Sequence, residues 1–124
     1  MQRAARAMRS ARLLLNDDDV VGACNRAYYA MFEAAQASVL SAGNADPADI
    51  RTHSGLIRRF GIDVVQAGLI PRETGRLLAQ AQQVRRMTDY NQAHLDGADA
   101  EQFIAKADKF VTAVEDRFFA GSRD

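Results

Sequence analysis

The chain has no tryptophan, two prolines, one cysteine and no long apolar run, and each shortage excludes something. The single Cys24 has no internal disulfide partner, and with no hydrophobic leader at its start the chain is expected in a reducing, cytoplasmic setting. A bilayer-spanning helix needs about 20 consecutive apolar residues, so no membrane association is expected. One cysteine and two well-separated histidines are too few for a zinc site within one chain. There is neither a glycine-rich phosphate loop nor a His-Glu-x-x-His pattern, so no metal and no cofactor is expected. Net charge is also lacking: 16 basic residues balance 16 acidic ones. The whole-molecule field therefore offers no broad attraction to nucleic acid or membrane, and any such affinity must be local.

What is present suits one folded unit. The 124 residues are one domain's length, and 48% hydrophobic with 26% charged residues is the balance of a globular chain rather than a disordered one. A single domain over 1–124 is expected. The charges are unevenly placed: residues 1–95 hold 12 basic and 9 acidic side chains, and the remainder 4 and 7. Fourteen of the 16 basic residues are arginine, the side chain suited to bidentate phosphate contacts, although an arginine-favouring genome explains the count equally well.

The periodicity predicts helices throughout. A first helix covers about 2–15, ending in Leu13–Leu15, and "NDDD" (16–19) stops it and caps a second over about 18–42. Val21, Cys24, Tyr28, Phe32, Ala35 and Val39 form that helix's apolar stripe, beside rows of alanine that permit close approach. Gly43 and Asn44 end it. A third helix is predicted over about 53–67, capped by Thr52 or Ser54 and weakened at Gly61. A fourth covers about 71–92 with Pro71 in its first turn. Asp99 and Gln102 have capping-box spacing before a last helix that carries Phe103, Ala107, Phe110, Val114 and Phe118. No stretch alternates with period two as a strand would. The expected fold is all-α, an up-and-down bundle of four to five helices.

Three patches together resemble the HEPN domain family: "NRAYYAMFEAA" (25–35), "THSGLIRRF" (52–60) and "RRMTDY" (85–90), in that order and over most of the chain. The resemblance implies a helical bundle that dimerises through its longer helices. It also implies a setting, since small HEPN proteins are often encoded beside a minimal nucleotidyltransferase, and several such pairs behave as toxin and antitoxin. Many members are metal-independent endoribonucleases; others are non-catalytic binding modules.

The nuclease branch carries an arginine followed, after four to six residues, by a histidine. In "AQQVRRMTDYNQAH" (81–94), seven residues separate Arg86 from His94 and eight separate Arg85 from His94, which misses that spacing. Arg85, Asp89 and Tyr90 instead resemble the RxxxDY pattern of another branch. Metal-free RNA cleavage needs a base for the 2′-OH proton, an acid for the leaving oxygen and positive charge on the phosphate. Arg85 or Arg86 could hold the phosphate, and His94 is the candidate for proton transfer, with Asp89 in reserve. The structural alternative is an i,i+4 ion pair between Arg85 and Asp89 that orients the helix end.

Asn25, Arg26 and Tyr29 form the polar edge of the second helix and, with Tyr90, are the candidate binding residues. They could face the RxxxDY patch as a buried network or line a cleft. His53, in "RTHSG", reads as architectural. Three functions stay open. The first is an RNA-associated homodimeric module of a toxin–antitoxin-like pair with a nucleotidyltransferase. The second is a metal-independent endoribonuclease, and the third a module that binds a nucleotide or other small ligand between helices.

Overall fold

A computed structural model describes residues 1–43, 45–90 and 95–120, the side chains of 87–90 excepted. Among these residues the chain forms five α-helices and no strand: α1 (Gln2–Asn16), α2 (Val20–Ala42), α3 (His53–Phe60), α4 (Arg72–Tyr90) and α5 (Gly97–Phe118). A 3-10 turn at Pro47–Ile50 precedes α3, and a π-helical turn at Gly61–Val65 follows it. The fold is the expected all-helical bundle. Central to it is α2, which packs against α1, α5, α3 and α4.

Helix ends follow from local chemistry. Asp19 accepts a hydrogen bond from the Gly22 amide at 2.9 Å, so "NDDD" does cap α2, with Asp18 turning the chain at a positive φ of 62°. Gly43, at φ 80°, closes α2 in the left-handed conformation, and its amide reaches the Val39 and Leu40 carbonyls. Pro71 sits one position earlier than a first-turn proline: its carbonyl accepts from the Gly75 amide at 3.0 Å, which makes it the residue from which α4 starts. The capping box of α5 also lies earlier than the Asp99/Gln102 spacing suggests. Asp96 accepts from the Asp99 amide at 2.9 Å, and the Asp99 carboxylate accepts from the Asp96 amide at 3.2 Å.

The predicted α2 stripe is buried at Cys24, Tyr28, Ala35 and Val39, and the alanine row beside it adds a second buried face. Ala23, Ala27, Ala30 and Ala34 are wholly buried, as are Ala4, Ala7 and Ala11 on α1, and small side chains on both helices let the two backbones approach closely. Val21, read as the stripe's first member, is 52% exposed, and Leu13 is 69% exposed. Both lie near the turn between α1 and α2. The larger residues fill the other side of the bundle: Phe60 meets Phe110 at 5.4 Å between ring centroids, with Leu56, Val64 and Val114 also buried.

The predicted third helix is broken where glycine weakens it. At Gly61 the backbone widens into a π turn, closed by the Gln66 amide on the Gly61 carbonyl at 2.9 Å. Asp63, within this turn, is buried, and Arg59 grips both its carboxylate oxygens at 2.7 Å. A buried charge requires such a partner, and a bidentate guanidinium four residues away supplies it.

Candidate functional site

On the side of α2 away from its alanine row, three elements bound an open cleft of about 410 Å³. Its lining comes from Asn25, Arg26, Tyr28, Tyr29 and Phe32 of α2, His53 at the start of α3, and Arg85 of α4. At 100° per residue, positions 25, 28, 29 and 32 lie roughly half a turn around from the alanines.

His53 reaches this cleft because the segment before it is fixed at several points. Asp46 caps the 3-10 turn through the Ala48 amide at 3.0 Å, Ile50 is buried, and Gln36 of α2 donates to the Ile50 carbonyl at 3.2 Å. Thr52, one of the two caps expected, then accepts from the Gly55 amide at 3.0 Å and starts α3 with His53 in its first turn. A Cβ at Gly55 would fall 2.2 Å from the Asp49 carbonyl oxygen, so glycine permits this tight join.

Within the cleft His53 is enclosed by aromatic rings. Its Nδ1 shares a hydrogen bond of 2.5 Å with the Tyr28 hydroxyl. The two rings are nearly parallel, 9° apart with centroids at 5.3 Å, and Phe32 tilts against the imidazole at 4.6 Å. The guanidinium of Arg85 lies 5.2 Å from the Tyr28 ring centroid, and that of Arg26 lies 4.7 Å from the centre of Tyr29. Burial, and then the positive charge of Arg85, push the His53 pKa below its ordinary value, which keeps the imidazole neutral at pH 7. Burial raises the Tyr28 pKa, with Arg85 and Arg86 pulling the other way. Tyr29, 39% exposed, is raised chiefly by its hydrogen bond to Glu33 one turn on, and it also feels the charges of Arg3 and Arg26. A neutral imidazole and a neutral phenol thus share one hydrogen bond beneath several guanidinium groups.

The structure brings Asn25, Arg26, Tyr29 and Arg85 into one cleft and places Arg86 beside it on the exposed side of α4. The α2 members are not sealed in a buried network: Asn25 and Tyr29 are exposed and Arg26 half-buried. Asp89 and Tyr90 belong to α4, but their side chains, and so the expected Arg85–Asp89 pair, fall outside the described residues, as does His94 entirely.

Sequence reasoning missed Tyr28 and His53 as partners. Tyr28 was read into the apolar stripe, and it is 3% exposed; a buried phenol nevertheless needs a partner for its hydroxyl. His53, read as architectural, provides that partner from 25 residues away. The available signal was the unassigned hydroxyl in one patch and the unassigned imidazole in another.

A second cavity, of about 250 Å³, lies between α2, α4 and α5, with Cys24, Met31, Ala81 and Phe103 inside and Asp99 and Lys106 also among its lining. Burial, then the Asp99 charge, raise the Cys24 pKa and keep the thiol protonated. Cys24 is therefore a space-filler. Among the described residues no cluster of three or more His, Cys, Asp or Glu could hold a metal ion, and no helix is long and apolar enough to cross a membrane.

Known proteins resemble this chain along most of its length. A UPF0332 protein of Gloeobacter violaceus is 34% identical over 113 residues, which cover 90% of this chain and 86% of the relative. A UPF0332 protein of Thermotoga maritima is 29% identical, covering 92% and 84%. A Methanocaldococcus jannaschii protein named as a candidate toxin is 31% identical, covering 86% and 76%. The family model described as HEPN domain matches residues 1–117, and the three patches that line or flank the cleft fall within that span. The chain belongs to the HEPN domain family.

Proposed function

We propose that the protein is a cytoplasmic, RNA-associated HEPN module that works as a homodimer, the toxin-like member of a pair with a minimal nucleotidyltransferase. One observation carries the RNA reading: Arg26 and Arg85 converge with Tyr28, Tyr29, Phe32 and His53 in a cleft open to solvent. Single-stranded nucleic acid is held by that combination, cationic groups along the backbone and aromatic faces for the bases. Arg86 beside the cleft and Arg3 near Tyr29 extend the positive field. Because the net charge is zero, this local excess is what an RNA strand would meet. The relative named as a candidate toxin supports the toxin-like role.

Fluorescence anisotropy with a labelled single-stranded RNA tests the reading. Affinity falls as salt rises, and Arg26→Ala lowers the slope of log K against log salt by about 0.7 if one phosphate contact is lost. Salt-independent binding, or binding indifferent to Arg26, refutes the cleft as the site. Light scattering tests the dimer, and co-purification from cells carrying the neighbouring genes tests the nucleotidyltransferase partner.

A further inference from the structure

We propose that Arg3, Arg6 and Arg9 on α1 form a phosphate-binding ridge that continues the cleft, so that a single-stranded RNA leaving the cleft past Tyr29 runs along the first helix. The inference rests on the RNA reading above and adds to it a second surface and a dependence on strand length.

Spacing builds the ridge. Arg3, Arg6 and Arg9 recur every three residues, each step about 4.5 Å along the axis, and such a row runs obliquely across a helix surface. Ala4, Ala7, Met8 and Ala11 turn to the core, and the three arginines are exposed. They bound an open hollow of about 400 Å³ together with Gln2 and Ala5, and among the described residues no acid lines it.

The charges of this row are not used by the fold. Among the described residues Arg3, Arg6 and Arg9 make no ion pair, whereas Arg12, next in the row, is held by Asp108 of α5. Like charges one turn apart repel and work against the helix that carries them. A strand of phosphates removes that repulsion and releases its own counterions as it binds.

The row also joins the cleft. Arg3 is close enough to Tyr29 to act on its phenol, and the Arg26 guanidinium lies 4.7 Å from the centre of the same ring. An acid, Glu33, stands at this join as well, and its carboxylate is engaged by the Tyr29 hydroxyl. Cationic groups that run on from an aromatic cleft suit a nucleic-acid strand better than an acidic protein, which has no bases to stack.

The experiment uses the full chain and two labelled single-stranded RNAs of about 4 and about 16 nucleotides, the ends of the range that single-strand sites span. Arg3→Gln, Arg6→Gln and Arg9→Gln combined should lower the slope of log K against log salt by about 2 for the long strand, at about 0.7 for each phosphate contact, and leave the slope of the short strand unchanged. Arg6→Gln alone should lower the long-strand slope by about 0.7, and lysine at all three positions should restore it. Arg26→Ala should lower the slope for both strands. Circular dichroism and thermal melts check that the variants are folded. A long-strand slope that survives the triple change while Arg26→Ala still lowers it overturns the ridge and spares the cleft; a ridge that serves an acidic protein gives this result. Equal losses for the two strands also overturn the ridge as a continuation of the cleft. A slope lowered by the triple change but indifferent to Arg26 upholds the phosphate contacts of α1 and refutes the cleft. Failure to bind either strand overturns both.

Discussion

The two faces of α2 set the same backbone to opposite tasks. One presents Ala23, Ala27, Ala30 and Ala34, all without exposed surface, to neighbouring helices. The other presents Asn25, Arg26, Tyr28, Tyr29 and Phe32 to the cleft. The first face is specified by size, because any small side chain lets the helices close. The second is specified by chemistry, because its hydroxyl, guanidinium and ring contacts each depend on one partner in another element. Substitutions should therefore separate: those on the bundle side act on stability, and those on the cleft side act on binding.

The largest expected stability effect lies in the core that both faces rely on. Phe110→Ala removes a wholly buried ring that packs at a tilt against Phe60 and should cost about 3–5 kcal/mol, read from urea unfolding at constant m-value. A loss under about 1 kcal/mol would mean that the bundle is held elsewhere. Next comes overpacking of the alanine row: Ala27→Leu should destabilise by about 1–3 kcal/mol without altering the RNA affinity of the folded protein. Equal loss of RNA affinity would break the separation between the faces.

Smaller effects sharpen the cleft side. Tyr29→Ala should weaken single-stranded RNA binding by about 1–3 kcal/mol if a base stacks there, with a smaller effect on thermal stability than either core change because Tyr29, 39% exposed, lies outside the core.

The lowered His53 pKa sets the sign of a stability change with pH. The unfolded chain binds the proton more readily than the folded one, so stability is full above the ordinary histidine value of about 6.5 and falls as pH drops through the lower folded value. The part of that decline due to this histidine should vanish in His53→Gln, as thermal melts at pH 5 and 7 would show. The smallest effect belongs to the Arg12–Asp108 ion pair, whose side chains are about half exposed, and Asp108→Asn should change stability by at most about 1 kcal/mol.

Much of the fold was legible because repeating patterns are local. The apolar and alanine spacings of α2 and α5 located both helices, and "NDDD", Thr52 and Gly43 marked ends that the structure places within a residue or two. Val21 escaped because periodicity says which residues share a face but not which of them a neighbour covers. The π turn was visible only as a weak glycine at 61, since no local pattern announces the widened turn or the buried Arg59–Asp63 pair beside it. At the cleft, residues that share an element were readable: Asn25, Arg26 and Tyr29 were grouped from their spacing. The contact between Tyr28 and His53 spans 25 residues and two elements, so it depends on tertiary packing that no local pattern encodes.

The most direct measurement is a titration of the protein with a single-stranded 2′-deoxy analogue of RNA, followed by NMR of the His53 ring and the alanine methyl groups. The account predicts that the imidazole signals move with the analogue in a saturable way while the methyls of Ala23, Ala27, Ala30 and Ala34 stay in place. Shifts confined to the alanine face, with the imidazole silent, would contradict it.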